Sequence, residues 1–313
     1  MQLSTRKMKF LTTAFGWLGI GLAAFFTLSV SPSFAQNIRD DDPFITDPAT
    51  GLRERLGDSK KEQHPKLDSG LNQVVRAYKK VGMNRARIAA RNSAIAIQDD
   101  AVKVIIELPY DPDLRALEQK STRVAQQIQA LGGKVVSHHE ELLSAFVPIS
   151  KLTAVADLPD VKEVSVPSRP QPLVTSEAVT SDVLHTAAWY ASDFKGDGVK
   201  VGIIDVGFRN YAQLQGTELP KNIQTLFFTP YPAQAETHGT AVAEIIHDMA
   251  PKAQIFLTDP PNECDLGIAV DWLISQGVQV INHSVGWNIA LGPLDGTGKV
   301  NRRVDKAAAN GSG

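Results

Sequence analysis

The sequence predicts an α/β domain built on a parallel sheet with helices on both faces, preceded by a smaller α+β domain. In the second half of the chain, short apolar runs alternate with helical stretches, which is typical of parallel strands buried on both faces. In the first half, the apolar periodicity gives the order strand, helix, strand, strand, helix, strand. A stretch rich in Pro, Ser and Thr separates the two patterns and marks a domain boundary.

Composition places the chain among globular proteins. Of its 313 residues, 43% are hydrophobic and 21% are charged, which is not the balance of a disordered chain. The formal net charge of -2 gives no indication of a nucleic-acid partner or of an acidic membrane surface. Cys264 is the only cysteine, which excludes an intrachain disulfide and a cysteine-based zinc site. We expect it to be a small buried apolar residue.

Residues 1–35 have the pattern of a secretory signal peptide. Arg6, Lys7 and Lys9 form a basic start, residues 10–30 form an apolar run, and small residues at Ser33 and Ala35 predict cleavage after Ala35. The run is also long enough to span a bilayer, so an uncleaved N-terminal anchor stays open. The chain is therefore expected to be exported, and to be secreted, periplasmic or, if the signal is retained, membrane-anchored.

Residues 36–100 are predicted to be a polar linker with one short helix. The stretch is rich in charge and carries the acidic run at 40–42. Helical spacing of apolar residues is limited to Leu71, Val74, Val75 and Tyr78.

Residues 101–167 are predicted to form a domain of the ferredoxin-like class. Apolar residues alternate over 102–108, as in a half-buried strand. A helical stretch follows from Asp111 to the pair Gly132 and Gly133, which ends it. Strands are predicted at 134–139, 142–147 and 161–166, and a second short helix at 150–157. This order is that of the split βαβ motif.

Residues 168–190 are predicted to be a linker, and residues 191–313 an α/β domain. Buried strands are predicted at 199–204, 223–228, 255–258 and 278–282, with helices at 239–249 and 266–276.

Two candidate functional side chains follow these strands. Asp205 ends the run 201–205, and His238 begins the next predicted helix, with Thr237 as its expected cap and Gly239 leaving room for close packing. Each has an ordinary alternative, a turn carboxylate and a structural histidine. Functional groups gather beyond the carboxyl ends of parallel strands, so we expect the two side chains to converge. A carboxylate that holds one ring nitrogen of a histidine makes the other a general base.

Three segments resemble the subtilisin family of serine proteases. Residues 196–205 (GDGVKVGIID) resemble its aspartate motif, residues 238–243 (HGTAVA) its histidine motif, and residues 280–286 (VINHSVG) its substrate-binding strand. They occur in the family's order. Glu244 departs from the pattern, because the family has a glycine there.

This resemblance assigns roles to particular residues. It implies that Asp205 orients His238 and that His238 moves the proton of a serine. It further implies that Ser284, Val285 and Gly286 pair with the extended backbone of a polypeptide substrate as an added strand. The alternative for Ser284 is a plain residue at a strand end.

The nucleophile is not expected within this chain. The serines after His238 are Ser275, Ser284 and Ser312, and none lies in the Gly-Thr-Ser-x-Ala setting of the family. The parallel sheet is therefore expected to be incomplete, and the chain to be inactive alone. Asn310 only weakly resembles the family's oxyanion residue, because the sequence before it has helical spacing.

By the same resemblance, residues 101–167 are expected to be a propeptide that folds against the catalytic domain, with the tail from Ser168 to about Thr180 in its active site. No cofactor, metal ligand or nucleic-acid partner is predicted. Calcium ions occur in the family, but the acidic residues here are too scattered to place one. The competing interpretations are a non-catalytic propeptide-type inhibitor or folding-aid module, and a degenerate protease fragment with exposed sheet edges.

Overall fold

Two sheets of different type organise the chain in a computed structural model, which describes residues 44–46, 53–55, 62–172, 187–229, 235–287 and 295–312. All of these belong to one compact unit, Phe44–Gly313. The predicted signal peptide lies outside the described residues. In the part of the chain that is described, no helix has the length and apolar character needed to cross a membrane.

The first sheet is antiparallel. Its main strands are β4 (Ala101–Glu107), β5 (Lys134–His139), β6 (Leu142–Pro148) and β7 (Glu163–Ser165). They lie in the order β7-β4-β6-β5, and the short strand β3 (Ile97–Gln98) also pairs with β4. The two outer connections are helical, so the chain follows the predicted split βαβ order.

Helices on this sheet close a common core. The helices after β4 and β6 are α3 (Leu114–Ala130) and α4 (Leu152–Ala156), the latter preceded by a 3-10 turn, Ile149–Lys151. Asp113 caps α3, because its carboxylate accepts the N–H groups of Arg115 and Ala116. Leucine, isoleucine and valine side chains of the strands and helices are fully buried between the layers.

The described part of the expected linker is folded, so the linker prediction is wrong over 62–100. Two helices, α1 (Ser69–Val81) and α2 (Met83–Asn92), add buried side chains to the core of the antiparallel sheet. Helix α1 uses the predicted apolar face, with Leu71 and Val74 fully buried. Helix α2 was missed because its buried face consists of the small residues Ala86, Ala89 and Ala90 among arginines. Before them, β1 (Phe44–Thr46) and β2 (Arg53–Arg55) form an antiparallel pair.

The second sheet is entirely parallel. Its strands are β9 (Lys200–Ile204), β10 (Ile223–Leu226), β11 (Gln254–Thr258) and β12 (Val280–His283), in the order β10-β11-β9-β12. The chain moves from β9 to one side of the sheet and then returns to its other side. The order therefore reverses at β9, and the end of such a strand is where α/β proteins place functional groups.

Helices cover both faces of the parallel sheet. They are α6 (Tyr211–Leu214), α7 (His238–Met249), α8 (Glu263–Ser275) and α9 (Lys299–Ala309). A short helix, α5 (Ala187–Ala191), precedes β9. Ile203 of β9 packs in one buried cluster with Ala243 of α7. Its neighbour Ile204 packs on the opposite face, in a cluster with Leu266 of α8 and Ala307 of α9. Successive side chains of a strand point to opposite faces, so β9 is buried on both.

Candidate active site

Asp205 lies at the carboxyl end of β9, where its carboxylate is fully buried. Its backbone N–H donates to the carbonyl of Thr258 at 3.1 Å, which ties the strand end to β11. The Asp205 carboxylate also accepts the N–H of Val206 at 2.7 Å. Burial raises the pKa of this carboxyl group, and the bond to His238 offsets part of that rise.

His238 is the first residue of α7. The predicted cap by Thr237 is wrong, because its side chain makes no capping bond. Thr237 has φ -107° and ψ -3°, close to helical geometry, whereas a capping residue needs extended backbone. The hydroxyl of Thr240 instead donates to the carbonyl of Arg209 at 2.9 Å and holds the helix start against the loop after β9.

The two predicted side chains meet. Nδ1 of His238 lies 2.9 Å from both carboxylate oxygens of Asp205. A carboxylate beside Nδ1 favours the tautomer that carries the proton there, which leaves the Nε2 lone pair as an acceptor. The imidazole is 10% exposed. This geometry can support general-base chemistry at Nε2, with the charge of the imidazolium balanced by the buried carboxylate.

The substrate-binding segment predicted at 284–286 includes a short strand, β13 (Val285–Gly286). This strand pairs antiparallel with β8 (Gln171–Pro172), in the segment that follows the antiparallel sheet. The hydroxyl of Ser284 donates to the side-chain oxygen of Asn282 at 2.9 Å. The expected tail at 168–180 is described only as far as Pro172.

None of the three serines after His238 is arranged as a nucleophile among the described residues. Ser275 donates to the carbonyl of Trp272, and Ser312 donates to the carbonyl of Val278. Ser284 is engaged by Asn282. Asn310 ends α9, and its side-chain amide donates to the carbonyl of Lys306 at 2.8 Å. It therefore serves to finish a helix, in agreement with the helical spacing that precedes it.

Asp259 is a buried carboxylate that sequence reasoning missed. It follows β11 directly, next to β9, and is 3% exposed. Its oxygens accept the N–H groups of Phe228 and Thr229 at 2.7 and 3.3 Å. Burial raises its pKa to about 6. The available signal was a carboxylate directly after a buried strand, the same pattern that pointed to Asp205.

An open cavity lies at these strand ends, between the sheet and the segment that leads to β8. Its walls include Val206, Thr229, Glu236, Asp259, Arg169 and Pro170.

His283, at the end of β12, accepts the indole N–H of Trp287, and burial lowers its pKa to about 4. Over the described ranges, no three His, Cys, Asp or Glu side chains are grouped as metal ligands would be.

Comparison with known proteins finds similarity to solved structures. No protein-family model and no curated protein matches the chain. The chain is similar to the crystal structure of the epidermin leader peptide processing serine protease from Staphylococcus aureus, with 16% identity and a TM-score of 0.48. The similarity covers 68% of this chain and 60% of that protein, so the chain spans less than two thirds of its length. At this level of similarity, the assignment of function depends on the geometry of the site.

Proposed function

We propose that this chain provides the Asp and His members of a subtilisin-like serine endopeptidase, on a doubly wound parallel sheet of that type. The supporting observation is the contact of His238 Nδ1 with both oxygens of the buried Asp205 carboxylate, 2.9 Å each, at the carboxyl end of the central strand. The resemblance of residues 196–205, 238–243 and 280–286 to the family's motifs also supports the proposal.

The proposed reaction is peptide-bond hydrolysis through an acyl-enzyme. Nε2 of His238 takes the proton of a serine hydroxyl while that oxygen bonds to the carbonyl carbon of the substrate. The C–N bond then breaks, and the imidazolium gives its proton to the leaving amine. Water repeats the sequence on the acyl-enzyme and releases the acid. The reaction requires a serine in a Gly-Thr-Ser-x-Ala segment, which none of Ser275, Ser284 and Ser312 provides.

A serine-reactive fluorophosphonate tests this proposal. The 313-residue chain should remain unlabelled, whereas a polypeptide read in frame beyond Gly313 and containing that segment should be labelled. In the longer polypeptide, Asp205→Asn or His238→Ala should slow labelling by about 10³-fold or more. Asp295→Asn, an exposed carboxylate outside the site, is the matched control and should label normally. A stop codon directly after Gly313, or labelling of the shorter chain, would contradict the proposal.

We further propose that residues 101–167 are a propeptide that inhibits this site. The support is the pairing of β8, which follows that domain, with β13, the predicted substrate strand. A peptide that pairs antiparallel with such a strand occupies the place of a substrate backbone.

Trans inhibition tests the propeptide role. The purified chain should inhibit a subtilisin-like protease at high micromolar concentration, and a variant lacking residues 168–172 should inhibit less. Equal activity of the protease with and without the chain would exclude an inhibitory role.

A further inference from the structure

A cluster of like charges covers one side of α9. We refer to Lys299, Arg302, Arg303 and Lys306 as the α9 basic face. Their spacings of three and four residues make them neighbours on the helix, where like charges destabilise it. The helix has a single acidic residue, Asp305, and no side-chain cap at Gly298. Lys299 also places a positive charge in the first turn, where the helix dipole disfavours it. The helix therefore does not balance this charge itself.

The balancing charges come mainly from the antiparallel sheet. Glu140 and Glu141 form the two-residue turn between β5 and β6. Glu140 has φ 50°, an uncommon backbone conformation for this residue type, in a turn that usually takes Asn or Gly. The turn thus places two successive carboxylates at its tip at the expense of local backbone preference.

The two carboxylates contact three members of the α9 basic face. Arg303 lies 2.9 Å from Glu140 and 3.3 Å from both oxygens of Glu141. Arg302 lies 2.5 Å from Glu141, and Lys306 lies 2.8 Å from Glu140. At the other end of the helix, Lys299 lies 3.1 Å from Glu107 of β4.

Burial makes this pairing selective. Arg303 is 1% exposed and Glu141 is fully buried, so an uncharged partner would leave a buried charge unpaired. Arg302 and Lys306 are each 30% exposed, so salt can screen their pairs. The centre of the contact therefore demands a carboxylate, and its rim responds to ionic strength.

We infer that the α9 basic face is a recognition surface for an acidic β-turn, and that it selects the domain of residues 101–167 by the charges of Glu140 and Glu141. The inference rests on the proposed function, in which that domain is separated by cleavage. After cleavage, the affinity between the two parts is set by these charges and falls with salt.

A nicked form of the full chain tests the inference. A protease recognition sequence placed within 173–186 allows the chain to be cut while its two parts stay associated. The dissociation constant of the parts is then measured by titration at about 50 mM and about 500 mM NaCl. These concentrations give Debye lengths above and below the physiological value. The wild type should bind more weakly at the higher salt concentration.

Three variants define the expected result. Arg303→Gln and Glu141→Gln should each weaken association about a hundredfold, because each leaves a buried partner charge unpaired. Arg302→Gln, on the exposed rim, should weaken it several-fold and reduce the dependence on salt. Lys252→Gln is the matched control: it removes the same charge from surface pairs with Asp193 and Asp197 and should bind as the wild type does.

Several outcomes would overturn the inference. In the first, the Arg302→Gln and Arg303→Gln variants have the same dissociation constant as Lys252→Gln. In the second, the dissociation constant of the wild type does not change with salt. In the third, the two parts of the wild type separate even at low salt. Circular dichroism of each variant confirms folding, and Arg302→Gln provides the decisive comparison if a buried variant does not fold. This experiment measures the association of the two parts, so its result is independent of fluorophosphonate labelling, which tests the proposed function.

Discussion

Asp205 and Asp259 follow neighbouring parallel strands in register, since Ile204 of β9 is paired with Thr258 of β11. Both carboxylates are buried, and burial raises the pKa of each. Their partners differ. Asp205 contacts an imidazole, which can take up a proton, whereas Asp259 accepts two backbone N–H groups of the loop after β10. In the proposed function, Asp205 therefore takes part in the chemistry, whereas Asp259 holds the loop after β10.

The raised pKa of Asp259 predicts a pH-dependent stability. Between the ordinary value of 3.8 and about 6, the folded state keeps a proton that the unfolded state has lost. The free energy of unfolding therefore falls as the pH rises through this window. Relative to an Asp259→Asn variant, the wild type should lose about 2 kcal/mol between pH 4 and pH 7. Urea unfolding of both proteins over this range measures the difference, and a difference that does not change with pH would contradict the assignment.

The contact between Asp205 and His238 was predictable because each lies in a motif on a predicted element. The sequence also predicts that β9 ends and α7 begins at the same edge of the sheet. The role of Asp259 was not predictable, since its partners Phe228 and Thr229 are backbone groups about 30 residues away. Every residue except proline has a backbone N–H group, so the sequence does not show which of these groups will be buried and need an acceptor.

At the scale of elements, α7 approaches β9 closely because residue 239 has no side chain. A Cβ atom there would lie 2.6 Å from the ring of Phe208, 2.7 Å from the carbonyl of Gly207 and 2.8 Å from Cβ of Asp205. The N–H of Gly239 donates to that carbonyl at 3.0 Å. The contact between Asp205 and His238 thus depends on a glycine that has no side chain to take part in the chemistry.

Gly239→Ala should lower the free energy of unfolding by about 1–3 kcal/mol, because the added methyl group overlaps backbone and ring atoms. In the longer polypeptide it should also slow fluorophosphonate labelling. Thermal unfolding and the labelling rate are the measurements. Gly70→Ala in α1 is the matched control. Its Cβ would meet neighbours only at 3.5 Å or more, so it should be neutral or stabilising. Equal stability of the two variants would contradict the close approach.

The strands and helices of the two sheets follow the predicted order, because apolar periodicity records which face of each element is buried. The sequence did not predict α2. Its buried side is made of alanines, which leave a weak periodic signal among charged neighbours. The folded region therefore begins well before the strand at 101, and residues that were expected to be a linker contribute to its core.

At the scale of the whole molecule, the antiparallel sheet packs on α8 and α9 of the parallel-sheet domain. Ile105, Leu142 and Cys264 form a buried cluster across this contact, and the thiol of Cys264 is buried as expected. Burial raises the pKa of that thiol to about 12. The partners are more than 100 residues apart, so periodicity, which is a local signal, could not identify them. The contact of Ile105 and Leu142 with Cys264 depends on the matching shapes and charges of two surfaces, and these surfaces exist only after both sheets have formed.

The clearest case of such fitting is His139 of β5, which lies against Gly267 of α8. A Cβ atom at residue 267 would lie 2.2 Å from Nδ1 of His139, whose Nε2 is held 2.8 Å from Asp271. His139 is 7% exposed, and its bond to Asp271 fixes the orientation of the ring. A glycine within a helix costs about 1 kcal/mol relative to alanine. The contact between the two sheets thus outweighs the local preference of α8.

Gly267→Ala should therefore act in opposite directions in two backgrounds. With His139 present, it should lower the free energy of unfolding by about 1–3 kcal/mol, because the methyl group overlaps a fixed ring. In a His139→Ala background, it should be neutral or stabilise the protein by up to about 1 kcal/mol, because only the helix preference remains. Denaturant unfolding of the wild type, both single variants and the double variant gives the coupling free energy. Additive effects would mean that the ring does not lie on the glycine, and the described packing of the two sheets would then be incorrect.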